Sequence, residues 1–184
     1  QALLEKMETL DRTGPALKDG SGIQYGRSLL TLRAEDGGLQ VCEPDFGGDP
    51  LHTFRPNLDT TLQVLSEQTA VLHRTGLSGM DVRFSDEVFV RGAALEAPNV
   101  FLKRQKPSRA GDSGWYVGDM NDVERANNHT EKQFEVVRVF ELLRRRPSLL
   151  KILTLPPEYV VTMEGEKITG ILDRSGNNYW AARP

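Results

Sequence analysis

The chain has 184 residues, of which 38% are hydrophobic and 27% charged, so it suits one globular domain or two small lobes that share a core. Its net charge of -3 argues against a nucleic-acid-binding protein held by phosphate contacts. The single cysteine excludes an internal disulfide and a multi-cysteine zinc site, and no apolar run approaches the ~20 residues that cross a membrane.

The N-terminal part of the chain predicts a short helix followed by a β-hairpin. Within residues 2–10, apolar side chains recur at the spacing of a helix with one apolar face. Residues 28–34 and 39–42 are two short apolar runs, separated by an acidic turn that contains an Asp-Gly step. Such a step is typical of the two-residue turn that joins the strands of a hairpin.

A second helix is predicted to end at Gly76. It begins near Pro56, where Asn57 or Asp59 is free to cap the exposed amide groups of the first turn. Four leucines share its predicted apolar face: Leu58, Leu62, Leu65 and Leu72.

The remaining pattern predicts several strands and one more helix. The strands are residues 80–91 (with a bend near Asp86), 99–104, 114–118, 159–162 and 167–173. A capping-box sequence at residues 130–133 opens the helix. Its apolar stripe consists of Val136, Val139, Phe140 and Leu143. Pro147 bars its continuation, and residues 147–153 begin another short helix.

Strands that alternate with few helices predict an α+β fold, a largely antiparallel sheet with two main helices packed on it. We expect an N-terminal helix and loop at residues 1–27, an α+β half at 28–97 and a C-terminal half at 98–184. These segments are expected to form one compact unit.

Two kinds of catalytic site are conceivable in the first half of the chain. Cys42 lies near His52, so a thiol nucleophile with a histidine base is conceivable, as is a site built on the carboxylates around Asp45. The end of an apolar strand is, however, the usual place of a buried structural cysteine. Residues 118–124 superficially resemble a calcium loop, but Glu124 stands at the sixth position from Asp119, where such a loop has glycine. We predict no catalytic residue, metal or cofactor.

Two basic runs are interpreted as solvated surface. Lys103, Arg104, Lys106 and Arg109 flank a proline, which is typical of an exposed turn. The arginines at 144–146 suit the C-terminal end of a helix, where positive charge complements the dipole.

Trp115 and Tyr116 are the strongest candidates for a binding site. Adjacent strand residues point to opposite faces, so one ring is expected in the core and the other at the surface. Exposed aromatic rings beside acids are common in protein-binding hot spots. The predicted partner-binding residues are Asp112, Trp115, Tyr116, Asp119, Asp122 and Glu124, together with Asp45 and Asp49 from an earlier loop. A peptide- or carbohydrate-binding module built on the two rings is an alternative.

Residues 98–172 resemble the thirty-third class of bacterial polymorphic-toxin immunity domains, once a domain of unknown function. The resemblance rests on Asn99-Val100-Phe101-Leu102-Lys103-Arg104, on Asp112-Ser113-Gly114-Trp115-Tyr116-Val117-Gly118 and on Pro147-Ser148-Leu149-Leu150. Upstream, Cys42-Glu43-Pro44-Asp45-Phe46 and the helix at residues 60–72 look like the N-terminal half of longer members.

The resemblance implies a non-enzymatic inhibitor that binds a cognate toxin and protects the cell that makes it, with no catalytic residues to carry over. An acidic surface would speed the capture of a basic toxin. We expect a protein partner and neither nucleic acid nor membrane binding. The expected compartment is the cytoplasm, and the start at Gln1 rather than methionine leaves the periplasm open.

Overall fold

The computed structural model describes residues 2–13, 16–121 and 134–181. It divides into two compact units, residues 1–63 and 64–184. The predicted segments 1–27, 28–97 and 98–184 stay a prediction. In the described ranges, no helix combines the length and the apolar character that crossing a membrane requires.

The first unit contains helix α1 (Ala2–Thr13) and an antiparallel sheet. The strands, in sheet order, are β1 (Gly22–Tyr25), β2 (Ser28–Glu35), β3 (Gly38–Pro44) and β4 (Phe54–Arg55). The predicted helix and hairpin are confirmed, with Glu35 paired to Gly38 across the turn. The buried residues Ile23, Leu30 and Leu32 form the core of this unit.

Helix α2 (Asp59–Thr75) confirms the second predicted helix. Its first turn is capped by Glu43, and neither Asn57 nor Asp59 is needed for this. The buried carboxylate of Glu43, on β3, accepts hydrogen bonds from the backbone N–H groups of Thr60 at 3.3 Å and Thr61 at 2.8 Å. An acid at this position satisfies two unpaired donors and also interacts favourably with the positive end of the helix dipole.

The predicted leucine face of α2 is wrong, since Leu62 is 47% exposed. The buried face consists instead of Thr61, Val64, Gln68, Val71 and Thr75. Its polar members donate hydrogen bonds: Gln68 Nε2 to the Leu150 carbonyl at 2.8 Å, and the Thr75 hydroxyl to the Val71 carbonyl at 2.9 Å, whereas Gln68 Oε1 is buried without a partner among the described residues. Because these hydrogen bonds offset the cost of burial, a mixed stripe can face the core where leucines were expected.

The second unit contains a six-stranded sheet in the order β10-β9-β6-β7-β5-β8. Its strands are β5 (Glu87–Arg91), β6 (Asn99–Arg104), β7 (Asp112–Asp119), β8 (Phe134–Arg138), β9 (Val160–Glu164) and β10 (Lys167–Leu172). Within this sheet β5 and β7 run parallel and the other neighbours run antiparallel. The predicted α+β fold with a largely antiparallel sheet is confirmed.

Two element predictions in this unit need correction. The strand expected over 80–91 exists only from Glu87, because the Asp86 carboxylate accepts the Arg83 N–H at 2.8 Å and closes a turn. Residues 134–138 form β8 and not the start of a helix, because this β-branched segment pairs with β5.

The last helical region follows β8 directly. Helix α3 (Val139–Arg145) begins where the Glu141 carboxylate accepts the Arg138 N–H at 2.5 Å. The predicted capping box at residues 130–133 lies outside the described residues. The short helix expected after Pro147 is confirmed as a 3-10 helix, Pro147–Ile152.

Gly111 and Gly114, at the start of β7, differ in the space around their Cα atoms, so substituting each of them tests the packing of this strand. Both adopt the left-handed backbone region, with φ of +81° at Gly111 and +74° at Gly114. A Cβ on Gly111 would meet nothing within 4 Å, whereas one on Gly114 would lie 2.1 Å from the Gln105 carbonyl oxygen.

We therefore expect Gly111→Ala to lower the free energy of unfolding by about 1–2 kcal/mol, the cost of the backbone conformation alone. Gly114→Ala is expected to cost more than about 4 kcal/mol, because β7 must also move away from residue Gln105. Urea unfolding followed by circular dichroism measures both. Equal costs for the two variants would contradict the close approach.

Candidate functional site

The two aromatic rings of β7 lie on opposite faces of the six-stranded sheet, as strand alternation predicts. Trp115 is fully buried, whereas Tyr116 is half-buried and points to the other face. The Trp115 indole Nε1 donates to the Leu153 carbonyl at 2.8 Å. Because its ring has no exposed surface, Trp115 cannot contact a partner protein directly, and we no longer count it among the predicted partner-binding residues.

Arg104 lies beside Trp115 on the buried face and is only 1% exposed, so the prediction that it belongs to a solvated turn is wrong. Its guanidinium carbon lies 5.7 Å from the centre of the Trp115 ring. Its three nitrogens donate to five backbone carbonyls, those of Ser113 at 3.1 Å, Met80 at 3.2 Å, Leu153 at 3.1 Å, Leu155 at 2.6 Å and Asp81 at 3.3 Å.

Burial lowers the pKa of Arg104 to about 10, which still leaves the guanidinium charged at neutral pH. A buried cation is costly unless its donors are satisfied, and here they are. Arg104 therefore acts as a structural clamp that ties two loops to the sheet.

A second arginine from a predicted solvated run is also buried. Arg146 donates to the carbonyls of Ala94, Leu95, Ala97 and Gly165 at 2.6–3.2 Å. Burial lowers its pKa as well. The solvated interpretation is thus wrong for Arg146, whereas the neighbouring Arg145 forms ion pairs with Glu96 at 3.1 Å and Glu135 at 2.5 Å.

The opposite side of the sheet carries an apolar patch, here named the aromatic face. It consists of Phe89, Phe101, Tyr116, Phe134 and Val136. The Tyr116 ring centre lies 5.8 Å from that of Phe101 and 6.0 Å from that of Phe134. Phe134 is 58% exposed and Val136 is 50% exposed, which is unusual for neighbouring large apolar side chains.

The shape of the aromatic face depends on a glycine. Gly118 pairs with Phe101 across β6 and β7, and a Cβ on Gly118 would lie 2.5 Å from the Phe101 ring. The missing side chain lets the ring lie over β7. A hollow of about 400 Å³ adjoins this ring and is lined by Phe89, Phe101 and Tyr116 and by polar residues that include Lys103 and Lys106.

The acidic residues predicted around Tyr116 hold local turns. The Asp112 carboxylate accepts hydrogen bonds from Ser108 and from the Gly114 N–H at 2.7–2.8 Å. Burial acts to raise the pKa of Asp112, but these hydrogen bonds outweigh it and hold the pKa below its usual value. Asp119 accepts the Asn121 N–H at 2.9 Å, and alternation places it on the face opposite Tyr116.

The other predicted acids lie elsewhere. Asp122 and Glu124 fall outside the described residues. In the first unit, Asp45 accepts the N–H groups of Gly47 and Gly48, and Asp49 accepts a hydrogen bond from the Leu51 N–H and contacts His52 Nδ1 at 2.8 Å. The contact roles of these acids stay a prediction.

Cys42 and His52, the residues of the conceivable thiol site, do not form an activated thiol. Cys42 is 4% exposed, and burial raises the pKa of its thiol, which disfavours the nucleophilic thiolate. The His52 ring contacts Asp49. In the part of the chain that the structure describes, no three His, Cys, Asp or Glu residues are grouped so that they could hold a metal ion.

The Arg104 clamp can be tested against an exposed arginine of the same loop region. Arg104→Lys loses the planar fork and leaves several buried carbonyls unpaired, so we expect a loss of about 3–5 kcal/mol in the free energy of unfolding. Arg109, which is 61% exposed and paired with Glu87, is the matched control. Arg109→Lys is expected to cost less than about 1 kcal/mol. Similar losses in urea unfolding would refute the clamp.

Comparison with known proteins gives one match. The model of a protein family described as the Imm33-like domain matches residues 67–174, more than half of the chain. The matched range contains all six strands of the larger sheet, the Arg104 clamp and the aromatic face. No curated protein and no solved structure matches. The chain belongs to the Imm33-like domain family, a family of immunity-protein domains.

Proposed function

We propose that this chain is a non-enzymatic immunity protein that binds a cognate secreted bacterial toxin and neutralises it, protecting the cell that makes it. Family membership supports the general role. The proposed site of action is the cytoplasm.

The observation that carries the binding part of the proposal is the aromatic face. Its five apolar side chains lie together on one side of a sheet whose other side is anchored by Trp115 and Arg104. Interfaces typically bury ~1,200–2,000 Å² and depend on a few aromatic anchors near their centre. Tyr116 suits that central position, because it contacts Phe101 on one side and Phe134 on the other.

The proposal can be tested by co-expressing the chain with the toxin candidate encoded by the neighbouring gene. We expect the chain to restore growth and to co-purify with the toxin. Failure of the chain to protect cells from that toxin, or to bind its purified, inactivated form, would contradict the proposal.

The aromatic face makes a sharper prediction for binding. Tyr116→Ala and Phe101→Ala should each weaken toxin binding by ~30-fold or more, because a hot-spot truncation costs at least ~2 kcal/mol. Leu29→Ala is the control, since Leu29 is 52% exposed on the strand β2 of the first unit. Calorimetric titration gives the affinities, and thermal unfolding verifies that each variant is folded. Equal binding by all three variants would remove the aromatic face from the proposal.

The predicted acidic contacts form a separate part of the proposal. Asp119→Ala combined with Asp122→Ala should reduce toxin affinity by about three- to tenfold, because single charges away from the aromatic centre of an interface contribute little. The same titration measures this effect. No change in affinity would remove these two acids from the contact surface.

A further inference from the structure

The charge around the aromatic face is opposite to the charge of the whole chain. Strand alternation places Arg91, Lys103 and Arg138 on the same side of the sheet as the aromatic rings. Lys106 follows β6 and lines the adjoining hollow. The chain as a whole has a net charge of -3, so this basic rim is a local feature.

Two acids on this side of the sheet, Glu87 and Asp112, lie next to the basic rim, whereas Glu164 lies at the far end of β9. Glu87 forms ion pairs with Arg109 and, at 3.4 Å, with Arg138. The Asp112 carboxylate accepts the hydrogen bonds from Ser108 and Gly114 described above. The two arginines therefore neutralise Glu87, and Asp112 leaves one negative charge, which the remaining rim cations Arg91, Lys103 and Lys106 outnumber.

Two cations on the rim retain unused hydrogen-bonding capacity. Among the described residues, the ammonium groups of Lys103 and Lys106 have no hydrogen bond or ion pair, and both side chains are exposed. Unpaired donors beside an exposed apolar patch favour a ligand that supplies both apolar side chains and acceptors.

We infer that the aromatic face binds an acidic protein surface, in which carboxylates of the toxin surround an apolar centre. This inference rests on the proposed function and names the chemistry of the partner at that site. Charge complementarity would then steer the two proteins together with the opposite polarity to the one expected from the sequence, in which an acidic inhibitor meets a basic toxin.

A single-stranded nucleic acid is the other ligand that stacks on aromatic rings flanked by lysines. The acidic total charge opposes that alternative, because non-specific nucleic-acid binding depends on a strongly positive protein. The family match also favours a protein partner.

The test uses the purified, inactivated toxin from the neighbouring gene and three matched single variants. Lys103→Glu and Lys106→Glu reverse rim charges, and Lys18→Glu reverses an exposed lysine of the first unit. We expect each rim variant to slow association by about tenfold at low salt, with little effect of Lys18→Glu. The difference should shrink as ionic strength rises from about 0.05 to about 0.5 M, and Lys103→Arg should bind normally.

The possible outcomes separate the two proposals. If the unaltered chain binds the toxin but the rim variants associate as fast as Lys18→Glu does, the acidic partner surface is refuted and the immunity role stands. If the unaltered chain neither binds nor protects, the immunity role fails and the inference fails with it. Tight binding of a fluorescent single-stranded oligonucleotide that Lys103→Glu abolishes would also overturn the inference in favour of a nucleic-acid ligand.

Discussion

The structure of the second unit depends on the guanidinium of Arg104. Two chain segments outside the strands, at residues 80–81 and 153–155, direct carbonyls towards one point beside the sheet, where Arg104 donates to them. Removing a cation from water is unfavourable, and only a complete set of acceptors makes such a position tolerable. The same Leu153 carbonyl also accepts the Trp115 indole, so both side chains hold one loop against the sheet.

This anchoring explains how the two faces of one strand take different roles. On β7, Trp115 and Val117 are buried, and Tyr116 between them is available to solvent. A sheet that is fixed on one side can present side chains on the other in a defined arrangement. A surface that binds a partner needs such a defined arrangement.

Local patterns were sufficient for some elements and insufficient for others. The Asp-Gly turn and the alternation in β6 and β7 are local signals, and the structure follows them. The pairing of β8 with β5 is non-local, so helical spacing predicts one continuous helix through Val136, although Val136 lies in the strand and the helix begins at Val139. On α2 the choice of buried face was decided by hydrogen bonds such as the one from Gln68 to Leu150, which no spacing rule contains.

The candidate site shows the same division. Tyr116 could be found because it follows a tryptophan in a strand, whereas Phe89 and Phe134 join it only through the pairing of β5 with β7 and β8. The sequence predicts a solvated Arg104 because arginine is normally exposed, and four of its five acceptors come from distant parts of the chain. The sequence predicts an acidic patch near Tyr116. It does not show that the Asp112 carboxylate accepts a hydrogen bond from the Gly114 N–H within a turn.

The pairing of Phe101 with Gly118 has a consequence for the thermodynamics of association. The ring occupies the volume that a side chain on Gly118 would take and lies 5.8 Å from the Tyr116 ring, so contacts on two sides favour one rotamer before any ligand arrives. Immobilising a free side chain on complex formation costs ~0.5–1.5 kcal/mol, and a ring that is already ordered avoids part of that entropic loss. A single missing methyl group thus preorganises one of the rings.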